Sequence, residues 1–293
     1  MLWSFRLELT HGLRTKKLWI MVAVMLLIYI PIVYLLKTHT GNLTTGDIMG
    51  TVTGSLSSGV LFFLGIVAIV MGSTLINDDI EKGTVTIALS KPVTRHGYYL
   101  GRFAGQAVAV LVALFMASAV FLIAMRVIGI PVAGGVVVQV VLLTLLLFLA
   151  MIQLLALGHV ISVFIRSHLA SIGAAIGVFF LIYLIIPGAI TTVAVLRSLN
   201  HQPVVNFNNN TTTTKTTGHL SYTQLLEEYY TRYAFYSPTA QVNVIMLNTE
   251  DQNGYVGIAH AVRKRWVNLV LLLVMTAVYS GLALWRFRRM DLR

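Results

Sequence analysis

The chain has no cysteine, which excludes disulfides, thiol catalysis and thiolate metal sites. It has little charge: 11% of its 293 residues are Asp, Glu, Lys or Arg, where a soluble domain carries roughly 25%. It also lacks the signatures of common catalysts. No G-x-x-x-x-G-K-[ST] phosphate loop occurs, and the dipeptide Gly-Lys is absent, so ATP hydrolysis by a P-loop is excluded. No H-E-x-x-H or G-x-S-x-G is present. His11, His96, His159, His168, His201, His219 and His260 show no metal-ligand spacing, which favours solvated or interfacial histidines over a metal site. With no catalytic constellation, the chain reads as a non-enzyme that needs no cofactor of its own.

What is present is apolar surface. Hydrophobic residues make up 57% of the chain, and the few charges separate uncharged stretches at 18–36, 48–77, 103–125, 127–165, 167–196 and 266–285. About 20 apolar residues cross a hydrocarbon core. The fold class is therefore an all-α integral membrane protein with six transmembrane helices, near 18–36, 56–76, 103–126, 137–164, 169–196 and 266–285. The first run is longer than the ~7–15 apolar residues of a secretory signal and has no small-x-small cleavage site after it, so it reads as a span.

Thirteen Lys/Arg fall in segments 1–17, 77–102, 165–168 and 286–293, whereas the two short loops on the opposite side hold only Lys37 and Arg126. The positive-inside rule puts both termini in the cytoplasm of a plasma-membrane protein. Arg263-Lys264-Arg265, on the predicted outer side, runs against this, although its parent segment 197–265 is longer than the loops the rule governs. The sequons at Asn42, Asn209 and Asn210 all fall outside in this orientation and are candidate N-glycosylation sites. The net charge of +11 is accounted for by positive-inside excess facing anionic membrane lipid, without nucleic acid.

Leu2, Phe5, Leu9 and Leu13 recur at helical spacing beside Arg6, Arg14, Lys16 and Lys17. This predicts an interfacial amphipathic helix over 1–17, ahead of a single six-span domain over 18–293. Pro187-Gly188 predicts a break or kink in span 5, with 189–196 as a separate or re-entrant piece. In the extracytoplasmic insertion 197–265, Ser221 with Gln224 predicts a helix near 222–234, and Ser237-Pro238 a second near 238–248. Thr51, Ser55 and Ser58 at the start of span 2, Gln153 in span 4, and the Pro187-Gly188 break are candidates for a helix interface or a substrate path. No acid, Arg or Lys lies mid-span, which argues against an ion-coupled carrier.

The most informative stretch is the predicted cytoplasmic loop 77–102. It opens with Asp78, Asp79 and Glu81, continues through a mixed apolar run, and ends in a basic, proline-marked turn. Segment 78–89 reads as a short amphipathic helix suited to a groove on a cytoplasmic partner. The order Glu81, Gly83-Thr84, Leu89-Ser90-Lys91-Pro92-Val93-Thr94-Arg95, Gly101-Arg102-Phe103 resembles the coupling region of type 2 ABC permeases. The likeness is to the branch containing the nitrous-oxide-reductase maturation permease. Arg102 stands where lysine is commoner, and the tail Phe287 to Leu292 resembles that family's ending with Met290 inserted.

The resemblance implies an exporter permease: two copies of this chain with two copies of an ABC ATPase that binds ATP and magnesium. It implies coupling to that ATPase through Asp78, Asp79, Glu81, Gly83, Thr84, Leu89, Ser90, Pro92 and Arg95. A non-transporting six-span scaffold or assembly factor is the alternative, and the substrate is not readable.

Overall fold

The computed structural model describes residues 16–38, 44–55, 61–81, 83, 94–130, 132–165, 167–200, 228–229, 232–233, 237–246, 248–251 and 254–290. Residues 1–15 of the predicted interfacial helix, Ser58, Thr84, Leu89, Ser90, Pro92 and the sequons at Asn42, Asn209 and Asn210 lie outside them.

Among the described residues, six helices are long and apolar enough to cross a membrane: Leu18–Thr38, Leu61–Glu81, Arg95–Val127, Gly134–Phe164, His168–Arg197 and Trp266–Arg288. The protein is an all-α integral membrane protein, as its uncharged stretches predict. In chain order the helices are α1 (Lys16–Thr38), α2 (Thr45–Ser55), α3 (Leu61–Glu81), α4 (Arg95–Val127), α5 (Gly134–Phe164), α6 (His168–Phe180), a π-helical turn (Leu181–Ile185) and α7 (Ile186–Asn200). There follow α8 (Pro238–Met246), a hairpin of two-residue strands β1 (Glu250–Asp251) and β2 (Gly254–Tyr255), α9 (Ile258–Lys264) and α10 (Trp266–Arg288).

The centre of the bundle is α5, packed on α3 and α10, with α1 against α4 and α3 also against α6. Apolar residues cannot drive helices together in lipid, so close packing must do it. Two glycines permit it. A Cβ on Gly72 would stand 2.2 Å from the Leu155 carbonyl oxygen, and one on Gly158 would stand 2.3 Å from the Ile69 carbonyl oxygen. The α3 and α5 backbones are therefore in contact. Gly158→Ala is expected to cost about 1–3 kcal/mol through overpacking, read as a lowered melting temperature of the purified protein. An unchanged melting temperature would show that the helices separate without penalty.

Several boundaries differ from expectation. Thr51 and Ser55 are not the start of span 2. They belong to α2, a separate short helix whose first turn is fixed by Asp47, which accepts from the Thr44 backbone N–H at 2.9 Å and the Thr44 hydroxyl at 2.6 Å. Span 2 itself runs to Glu81, and span 3 begins at Arg95 rather than 103, on an N-cap in which Thr94 Oγ1 accepts from the Gly97 N–H.

Pro187-Gly188 does not break span 5. Proline lacks an N–H and its ring collides with the carbonyl four residues back, here Tyr183. The π-helical turn over 181–185 absorbs this by shifting to a wider bonding pattern, with the Ile186 N–H bonded to the Leu181 carbonyl. The helix then continues to Asn200, so 189–196 is not a separate helix.

Between spans 5 and 6, Ser237 caps α8 as predicted: its Oγ accepts from the Ala240 N–H at 3.3 Å. Of the predicted helix near 222–234, residues 228–229 and 232–233 are described and are helical. The hairpin and α9 were not anticipated. They close over one end of the bundle, where the Gln139 side-chain oxygen accepts from Tyr255 Oη at 3.1 Å and the Ile258 N–H at 2.9 Å.

Candidate functional site at the basic end of the bundle

The opposite end of the bundle gathers residues that the sequence scatters over more than 200 positions. Asp78, Asp79 and Glu81 form the last turn of α3, not the start of a separate helix over 78–89. Gly83 terminates that turn with φ 65°, its N–H bonded to the Ile80 carbonyl at 3.0 Å. A glycine suits this left-handed position because it carries no Cβ.

Asp79 does not face outward. It is 5% exposed, and it pairs with Arg102, itself 7% exposed. Arg102 Nε donates to Asp79 Oδ2 at 2.9 Å, and a second guanidinium nitrogen contacts Oδ1. Tyr98 Oη donates to the same Oδ2 at 2.7 Å, and the Arg102 guanidinium lies over the Tyr98 ring. The two-pronged pairing explains how a carboxylate and a guanidinium sit inside helices that cross a membrane: each neutralises the other, and Tyr98 donates a further hydrogen bond to the carboxylate. Asp79 stands in the last turn of α3 and Arg102 about two turns from the start of α4, so the pair lies near helix ends and not mid-span.

Three further contacts tie helix ends together here. Arg95 Nη1 donates to the carbonyls of Arg288 at 3.0 Å and Met290 at 2.9 Å, capping the end of α10. A cation there also complements the negative end of the helix dipole. Glu81 Oε1 accepts from the backbone N–H of His168, the first residue of α6, at 3.2 Å. Asp78 Oδ1 lies 2.6 Å from His168 Nδ1. Beneath them Tyr98 stacks on Phe287 at 6.2 Å between centroids, so α4 and α10 also share an aromatic contact. The ends of α3, α4, α6 and α10 are therefore joined, where α3 stops at Gly83 and α4 is capped by Thr94.

One layer deeper, polar groups continue the connection. Gln106 Nε2 donates to the Met71 carbonyl at 3.0 Å, and its amide oxygen lies 2.9 Å from His159 Nε2. That oxygen can only accept, so the proton of His159 sits on Nε2, and Nδ1 is free to accept from Tyr99 Oη at 3.4 Å. His159 is fully buried, not solvated or interfacial as expected for an isolated histidine. Nearby, the Asn77 backbone N–H donates to Ser162 Oγ at 3.3 Å, and Ser171 Oγ donates to the Ser73 carbonyl at 2.8 Å. No group of three or more His, Cys, Asp or Glu is arranged for a metal among the described residues.

The candidate interface or path residues are not brought together. Gln153 is buried within the chain, with neither side-chain atom hydrogen-bonded among the described residues. Thr51 is half-buried in α2, and Pro187 and Gly188 begin α7.

The geometry describes a six-span bundle whose basic end is knitted together where α3 ends and α4 begins. A family model described as ABC-2 family transporter protein matches residues 2–292. The chain belongs to that family. It is therefore a membrane permease component of an ABC transporter, a family whose members associate with an ABC ATPase. Among curated proteins, none matches. In the permease, the residues singled out by the coupling-like motif have specific positions. Asp79 and Arg102 form a buried pair, Glu81 and Arg95 bind neighbouring helix ends, and Gly83 stops α3.

Proposed function

We propose that this permease is the membrane half of an ATP-driven exporter in the plasma membrane, and that an ATPase subunit docks on segment 84–93. The observation that supports this most is that four helix ends are joined at the end of α3 and the start of α4, the two points between which that segment runs. A force on it would reach α3 and α4 through the chain itself, α6 through Glu81 and His168, and α10 through Arg95. ATP and magnesium act in the partner, which fits a permease with no phosphate loop. In this reading both termini are cytoplasmic, segment 201–265 is extracytoplasmic, and its sequons at Asn209 and Asn210, with Asn42, are available for glycosylation. The coupling-like motif supports a likeness to the nitrous-oxide-reductase maturation branch.

The working unit is two permease copies with two ATPases. Span 5 supports this: Leu169, Leu184, Ile185 and Leu196 are exposed on a helix that buries little of itself within one chain. A second copy packed on it would form a closed two-fold pair, the commonest arrangement of identical subunits.

The absence of native cysteine makes single cysteines a clean probe. Thr213→Cys and Thr217→Cys are expected to react with an impermeant thiol reagent on intact cells. Ile185→Cys and Ser58→Cys are expected to crosslink between copies in membranes. Labelling only after lysis would reverse the orientation. A complex holding one copy of this chain and a different second permease would exclude the homodimer.

A further inference from the structure

Between α1 and α4 runs a groove of 250 Å³. Leu26, Ile30 and Val33 line it from α1, and Val120, Phe121 and Ala124 from α4. Its floor is firm: Tyr29, 2% exposed, stacks on Phe121 with 4.4 Å between centroids and 25° between planes. Ala124 supplies only a methyl group where a larger side chain would fill the gap. Its rim is open: Ile30, Tyr34 and Val120 are all exposed. Because both helices are long and apolar enough to cross a membrane, that opening lies on the outer surface of the chain at bilayer depth.

The groove has a direction. At one end stands Lys37, in the last turn of α1. From Leu26 to Lys37 the helix rises about 16 Å at ~1.5 Å per residue. That is roughly half of the ~30 Å hydrocarbon core, the depth of one leaflet. Tyr34, one turn before Lys37, has the place of an interfacial aromatic. Lys37 makes no ion pair among the described residues, and no acidic residue lines the groove. Arg126, exposed near the same end of α4, adds a second positive charge. A largely apolar slot one leaflet deep, with Lys37 at its headgroup end, Arg126 nearby, and no carboxylate paired with either among the described residues, is complementary to a lipid of negative charge.

We propose that this groove holds an acyl chain of an anionic phospholipid whose phosphate is bound by Lys37. The inference depends on the membrane-spanning fold and not on the ATPase partner. A zwitterionic lipid would fill the slot and offer a phosphate, but its own cation, repelled by Lys37 and Arg126, would offset the gain, and a second copy of the chain would cover the rim.

The test is native mass spectrometry of the detergent-purified chain, equilibrated with equal amounts of phosphatidylglycerol and phosphatidylcholine of matched acyl chains. Wild type is expected to retain phosphatidylglycerol in preference. Lys37→Gln is expected to lower that preference roughly fivefold, the effect of about 1 kcal/mol per basic residue at an anionic surface, and Lys37→Arg to keep it. Ala124→Trp, which fills the slot, is expected to reduce retention of both lipids. Should Ala124→Trp fail to fold, the Lys37 pair still decides the matter. Equal retention of the two lipids by wild type, an unchanged preference in Lys37→Gln, or crosslinking between copies through Tyr34→Cys would overturn the assignment.

Discussion

Arg102→Met is expected to destabilise the permease by about 3–5 kcal/mol, the usual cost of removing one partner from a buried ion pair. The Asp79 carboxylate would remain 5% exposed with only the Tyr98 hydroxyl as a strong donor. Neither lipid nor the aromatic cluster of Tyr98, Tyr99 and Phe287 can replace the guanidinium. The loss would appear as a low yield of folded protein and a lowered melting temperature in detergent. Asp79→Asn with Arg102→Met should be milder than the sum of the two single changes, since it leaves no lone charge behind. If Arg102→Met melts with wild type, the pair is solvated in the membrane and contributes little.

The number of spans was legible because uncharged stretches of sufficient length are a direct consequence of the bilayer. The span ends were less so. Reading each charge as a boundary cut α3 short at Ile76 and delayed α4 to Phe103, because Asp79 and Arg102 are 23 positions apart and their mutual neutralisation is a tertiary fact. The clue that was available is that Tyr98 and Arg102 fall one helical turn apart, on one face, ahead of a long apolar run. His159 was misjudged for a similar reason: its partner Gln106 is 53 positions away. Both are single polar residues inside apolar stretches, and such residues in lipid require each other.

Pro187 reads in sequence as a break or a kink, because the rule for proline assumes α-helical bonding on both sides. A π-helical turn relaxes that assumption without leaving any trace in the residues Leu181 to Ile185, which are ordinary helix formers in lipid. The cap at Ser237-Pro238 was read correctly because a cap is local chemistry: one hydroxyl meets one N–H three residues ahead. The coupling-like motif was identified as a segment. Its residues divide into structural ones, Asp79, Glu81 and Arg95, which face the bundle, and the segment 84–93, which this account assigns to the partner.

That division is the central claim, and its direct measurement is the capture of the ATPase subunit by two altered permeases. The first replaces 84–93 with a Gly/Ser linker of equal length, leaving Glu81, Gly83 and Arg95 in place. The second is Arg95→Ala, which removes the two bonds to the end of α10 and leaves the docking segment intact. The account predicts that the linker variant folds but no longer captures the ATPase. It predicts that Arg95→Ala captures the ATPase as wild type does, while ATP-dependent movement of α10, followed by a spin or fluorescence label, is lost. Full capture by the linker variant would contradict the assignment of 84–93 as the docking segment.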